Sequence, residues 1–121
     1  MTPAREGHEV SRGDLDRERS ATRDRLAALV ATFEDMVRSA DTANIDDEHD
    51  PEGVTVAFER AQISGLIDNA QRHLDALDAA TARMDAGTYG RCAGCGNPIG
   101  AERLGALPST ELCIECADAR R

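Results

Sequence analysis

The sequence predicts a mainly α protein: a long antiparallel two-helix coiled-coil hairpin, then a small zinc finger built on four cysteines, with a short C-terminal helix. Three observations predict it. Two long stretches carry apolar side chains at alternating steps of four and three residues. An acidic break containing a proline separates them. Four cysteines, the only ones in the chain, stand in two Cys-x-x-Cys pairs near its end.

Residues 1–10 are polar and lack periodicity, and read as a disordered tail. At Ser11-Arg-Gly-Asp14 a serine precedes an acid by three residues, the pattern of a capping box with Asp in place of Glu. From there Leu15, Arg19, Thr22, Leu26, Leu29, Phe33, Met36 and Ala40 form a heptad seam, weak at its N-terminal end and firm from Leu26 onward.

The second seam runs through Val56, Arg60, Ile63, Ile67, Ala70, Leu74, Leu77, Thr81 and Met84. Asp50-Pro51 suits its start, because Asp caps free amides and Pro lacks only an N–H that the first helical position does not use. Gly87 suits its end, where a left-handed residue closes the last turn. In an antiparallel hairpin the numbers of facing residues share one sum. A sum of 96 pairs Phe33 with Ile63, Leu29 with Ile67 and Leu26 with Ala70, and centres the turn on residue 48, inside the acidic break. Two helices packed within a dimer or bundle are the alternative; a short connection favours the hairpin and a monomer. Phe58 falls off the seam.

The break itself, residues 41–52, holds six carboxylates in twelve residues. A solvated turn rich in capping acids accounts for it. It does not fit an EF-hand, since a ligand run from Asp46 would put Pro51 where that loop needs glycine. Exposed acids have no pocket to shift their pKa, and no nucleophile stands beside them, so an enzyme site is not expected. His49 reads as a solvent-facing loop residue. Acids held at the end of a long hairpin are also suited to a basic channel of another protein.

Cys92-Ala-Gly-Cys95 and Cys113-Ile-Glu-Cys116 are separated by seventeen residues. Each knuckle offers two thiolates from one tight turn, and two knuckles complete a tetrahedral zinc shell with no position open for chemistry. Two disulfides or a redox pair are the alternatives. The chain carries no recognisable secretory signal, and a redox motif does not need a second pair, so one structural zinc in a cytoplasmic protein is the expectation. A thiol switch that releases zinc on oxidation is compatible with it.

Composition limits the rest. One Tyr, two Phe and no Trp are too few for a broad core, whereas 40% hydrophobic residues suit narrow helical seams. The net charge is −9 and all side-chain cations at neutral pH are arginines, for there is no lysine. Such a chain repels phosphate, so direct sequence-specific DNA binding is not expected. No apolar run approaches the ~20 residues that span a bilayer, so no membrane is expected. The expected organisation is a tail over 1–10, a hairpin over 11–87 with its acidic tip around 44–50, and a zinc-finger segment over 88–121.

The segment from Gly87-Thr-Tyr-Gly-Arg-Cys92 through Pro98-Ile-Gly, Arg103-Leu and Pro108 to Leu112-Cys113-Ile-Glu-Cys116 resembles the zinc finger of the DksA/TraR family. The resemblance implies a non-enzymatic regulator of transcription that binds RNA polymerase rather than DNA. Its coiled coil would enter the secondary channel of the polymerase and place tip acids near the active centre. The family tip reads Asp-x-x-Asp-x-Ala; here Asp47-Glu-His-Asp50-Pro-Glu52 keeps both acids and has Glu52 in place of Ala. Positions that resemble the family's guanosine tetraphosphate site hold Ala76, Leu107 and Ala117, none of them basic. Arg103 matches a basic position of the finger, where packing or a salt bridge at the knuckle serves equally well. A zinc-capped coiled-coil adaptor that binds another helical protein is the alternative function.

Overall fold

A computed structural model describes residues 9–43 and 51–120 of this chain. The acidic tip, with Asp47 and Asp50, and residues 1–8 of the tail lie outside the described residues. Helix α1 runs Arg12–Ala43 and α2 runs Pro51–Ala86; two one-and-a-half-turn helices follow, α3 at Ala101–Ala106 and α4 at Ile114–Ala119. A single antiparallel bridge, Arg91 to Pro98, is the extended pairing among the described residues. The protein is mainly α.

The ends of the long helices follow local chemistry. The Ser11 N–H donates to Asp14 Oδ2 at 2.8 Å, and the Asp14 N–H donates to Ser11 Oγ at 3.0 Å. That is the reciprocal capping box the sequence announces. The Ser11 N–H, then its hydroxyl, hold the Asp14 carboxyl below the usual 3.8. At the other end, Gly87 takes φ +78°. Its N–H reaches Met84 O at 3.2 Å while the Thr88 N–H reaches Arg83 O at 2.9 Å. These two bonds are a Schellman closure, which needs a residue free of Cβ strain at that position.

The chain divides into two units, one holding residues up to Ser20 with His73 onward, the other Ala21–Arg72. In the second unit the seam residues Leu26, Leu29, Phe33, Met36, Val56, Arg60, Ile63 and Ile67 are half-buried, and Ala70 is buried. Phe58 is 74% exposed and Val54 62%, one turn apart on α2.

In the first unit the seam closes fully. Leu15 and Leu77 are 0% exposed and pack with Ala80, and Val10, Met84 and Tyr89 pack around that cluster. Among the described residues, the cross-helix arginine–aspartate pairs report the register: Arg12 with Asp85, and Arg19 Nε with Asp78 at 2.8 Å. Both pairs sum to 97, one residue from the predicted 96. They are partly exposed and add little stability.

Two expectations change. The N-terminal end of the seam, read as weak, is its most deeply buried part, because side chains from beyond the two seams cover it. Val10, assigned to the tail, packs on this cluster.

Candidate metal centre

The finger begins directly after the Schellman turn. Its first knuckle is a tight hairpin: Ile99 N–H donates to Gly90 O at 2.7 Å, Cys92 N–H to Asn97 O at 2.8 Å, and Gly96 N–H to Cys92 O at 2.9 Å. The Ala93 N–H then bonds Glu111 O at 2.8 Å, which ties this knuckle to the approach of the second. In the second knuckle Cys113 is the N-cap residue of α4, and Cys116 stands in its first turn. The i, i+3 spacing therefore turns both sulfurs to one side.

All four Sγ atoms lie within 4.8 Å of one another, and Cys95 Sγ is 3.9 Å from Cys113 Sγ. A tetrahedron with metal–sulfur distances of about 2.3 Å has edges of about 3.8 Å. All four cysteines are free, and Cys92 is 4% exposed. The donor set thus fits one structural zinc, and it contains neither nitrogen nor oxygen.

The thiols show why a cation belongs there. The Cys113 N–H, above all, draws Cys92 from 9.0 down to about 6. Cys116 is pushed from 9.0 up to about 12, first through its hydrogen bonding to Cys92 and then to Cys113 and Cys95. Four groups this close cannot all ionise against one another. A central dication favours the thiolate at every position and releases the protons.

Gly94 lies in the first knuckle, and its N–H donates to Cys92 Sγ at 3.3 Å. A Cβ there would lie 3.0 Å from Cys116 Sγ and 3.2 Å from Cys116 Cβ. Gly94→Ala is therefore expected to displace a ligand, at the ~1–3 kcal/mol typical of overpacking. Expressed in metal affinity this is about tenfold for each 1.4 kcal/mol. Competition with a chromogenic chelator measures it, and unchanged affinity would mean the knuckles have room that the geometry denies.

The loop between α3 and α4 is held by side chains that periodicity does not mark. Tyr89 Oη donates to Pro108 O at 2.8 Å, and Arg83 reaches Ser109 O and Thr110 O, each at 3.4 Å. Arg103, which the sequence singles out for its basic match, donates from Nε to Leu112 O at 2.8 Å. Ala76 and Ala117 are half-buried and Leu107 is exposed. Among the described residues no helix is long and apolar enough to cross a membrane.

Residues 87–121 match the family model of the prokaryotic dksA/traR C4-type zinc finger. An uncharacterized protein of Aquifex aeolicus is 42% identical over 57 residues, which are 44% of this chain and 39% of that one. The RNA polymerase-binding transcription factor DksA of Haemophilus influenzae is 35% identical over 49 residues, 40% of this chain and 34% of that one. The matched part thus spans well under half of either curated relative. Among solved structures, transcription factor DksA2 from Pseudomonas aeruginosa has the same fold with a TM-score of 0.74 at 27% identity, over 90% of this chain and 78% of that one.

Proposed function

We infer, for a chain whose residues 87–121 belong to the prokaryotic dksA/traR C4-type zinc-finger family, that it is a non-enzymatic regulator of transcription acting on RNA polymerase. Cys92, Cys95, Cys113 and Cys116 hold one zinc, whose part is structural: it fixes the two knuckles. The helices of the hairpin carry the acidic tip into the secondary channel of the polymerase, where Asp47 and Asp50 act near its active centre.

The observation that carries this reading is the likeness in fold to DksA2, which covers 90% of the chain and so takes in hairpin and finger together. A net charge of −9 without a single lysine adds to it. Such a chain is repelled by DNA and is suited to a basic protein surface.

Retention of the chain on purified RNA polymerase tests the partner. The tip is tested by replacing Asp47 and Asp50 together with Asn in a purified transcription system. The effect on transcription is expected to vanish while binding weakens much less, because hairpin and finger supply most of the contact. Stability should change little, since Asn caps a helix nearly as well as Asp. Normal regulation by this double variant would reject the tip mechanism.

Phe58 and Val54, exposed one turn apart on α2, favour a second reading in which the zinc-capped hairpin binds another helical protein. Crosslinking from residue 48 separates the two: it labels polymerase under the first and a helical partner under the second.

A further inference from the structure

Arg103 lies in α3, half-buried and outside the ligand set. Its Nε donates to the Leu112 carbonyl at 2.8 Å, and the Thr110 hydroxyl donates to the same oxygen at 3.2 Å. That carbonyl belongs to the peptide whose N–H is that of Cys113, and the Cys113 N–H donates to Cys92 Sγ at 3.3 Å. One planar peptide therefore joins a guanidinium to a ligand sulfur. Because the unit is rigid and trans, an anchor on its oxygen also aims its hydrogen. A cation on the carbonyl further polarises the N–H, so that the two hydrogen bonds strengthen each other. The same peptide leads directly into Cys113, the sulfur of which stands 3.9 Å from Cys95 Sγ. Two of the four ligands, one from each knuckle, thus depend on the orientation of a single peptide.

We propose that Arg103 is a positioning residue of the metal centre: it clamps the Leu112–Cys113 peptide so that its N–H meets the Cys92 sulfur and Cys113 is presented to the other three thiolates. The proposal rests on the metal reading of the four cysteines. It assigns Arg103 a task inside the finger, distinct from contact with any partner. Groups that orient metal ligands from outside the shell typically change metal affinity about 10–100-fold when they are lost.

The test uses the full-length chain loaded with cobalt(II), whose visible bands report tetrahedral thiolate geometry. Affinity is read by chelator competition and folding by far-ultraviolet circular dichroism. Arg103→Met is expected to lower affinity about 10–100-fold and to alter the cobalt bands. Arg103→Lys, which returns a cationic donor, should recover part of both, and Arg103→Gln should fall between Lys and Met. Arg120→Met removes the same charge from an exposed site past α4 and should leave affinity and spectrum as in the parent chain. If Arg103→Met loses its helical signal, Arg103→Gln decides the question. Parent-like affinity and bands in the Arg103 variants would overturn the proposal, as would an equal loss in Arg120→Met. A parent chain that gives no thiolate–cobalt bands would instead reject the metal centre itself, which keeps the two failures apart.

Discussion

Removal of the metal, by a chelator or by Cys113→Ser, is expected to unfold the segment from Cys92 to Ala119 while most of the α-helical signal of α1 and α2 persists. The reason is the scarcity of apolar burial in the finger. Among the described residues past Tyr89 only Cys92 and Ile99 are buried hydrophobics, and neither α3 nor α4 buries a residue. Six-residue helices do not hold themselves in water. Zinc binding in small knuckles supplies on the order of 10–16 kcal/mol of apparent free energy, far more than this segment gains by packing. Elemental analysis of fresh protein should give one zinc per chain. Limited proteolysis should cut the finger after chelation and spare it before. Intact disulfides with little zinc, or a finger that resists protease equally without metal, would contradict this account.

The second large effect is expected at the base of the hairpin. Leu77→Ala should cost about 2–5 kcal/mol, the range for deleting an enclosed leucine when its surroundings collapse only in part. Leu77 is 0% exposed and packs with Leu15 and Ala80, so its place lies toward the upper part of that range. Leu29→Ala, on the same type of seam position but half-buried, should cost clearly less. Thermal unfolding of the zinc-loaded variants measures both. A Leu29→Ala loss equal to that of Leu77→Ala would mean that the seam is buried evenly along its length.

This gradient also marks how far the sequence could be read. The 4-3 spacing picks out the inward face of both helices, since each seam residue with a described side chain is buried or half-buried, including the unusual Arg19, Thr22 and Thr81. The boundaries of α2 follow from Pro51 and Gly87, because these two residues act through their own backbone. Depth is different. Periodicity tells which side of a helix faces in, but burial at Leu15 also depends on Val10 and Tyr89, which lie beyond the two seams and whose approach is set by tertiary structure. Helix α3 is too short to show a period. The clustering of the four cysteines was legible because a zinc shell imposes such a spacing. The contacts of Arg83 and Arg103 with backbone carbonyls were not, because carbonyl acceptors are present at every residue and leave no mark on the sequence.

Tyr89 joins the loop before α4 to the base of the hairpin through its hydroxyl on Pro108 and its ring against the Leu15 cluster. It is also the only tyrosine, and the chain has no tryptophan. Absorbance near 280 nm and the ultraviolet emission of the isolated protein therefore arise essentially from one ring at one joint. Burial also holds its phenol above the usual 10.0, so the neutral form stabilises the fold below that value and the stabilisation fades as pH climbs past the raised one. The molecule carries its own label-free optical gauge, which reads whether finger and helix ends are still fastened together.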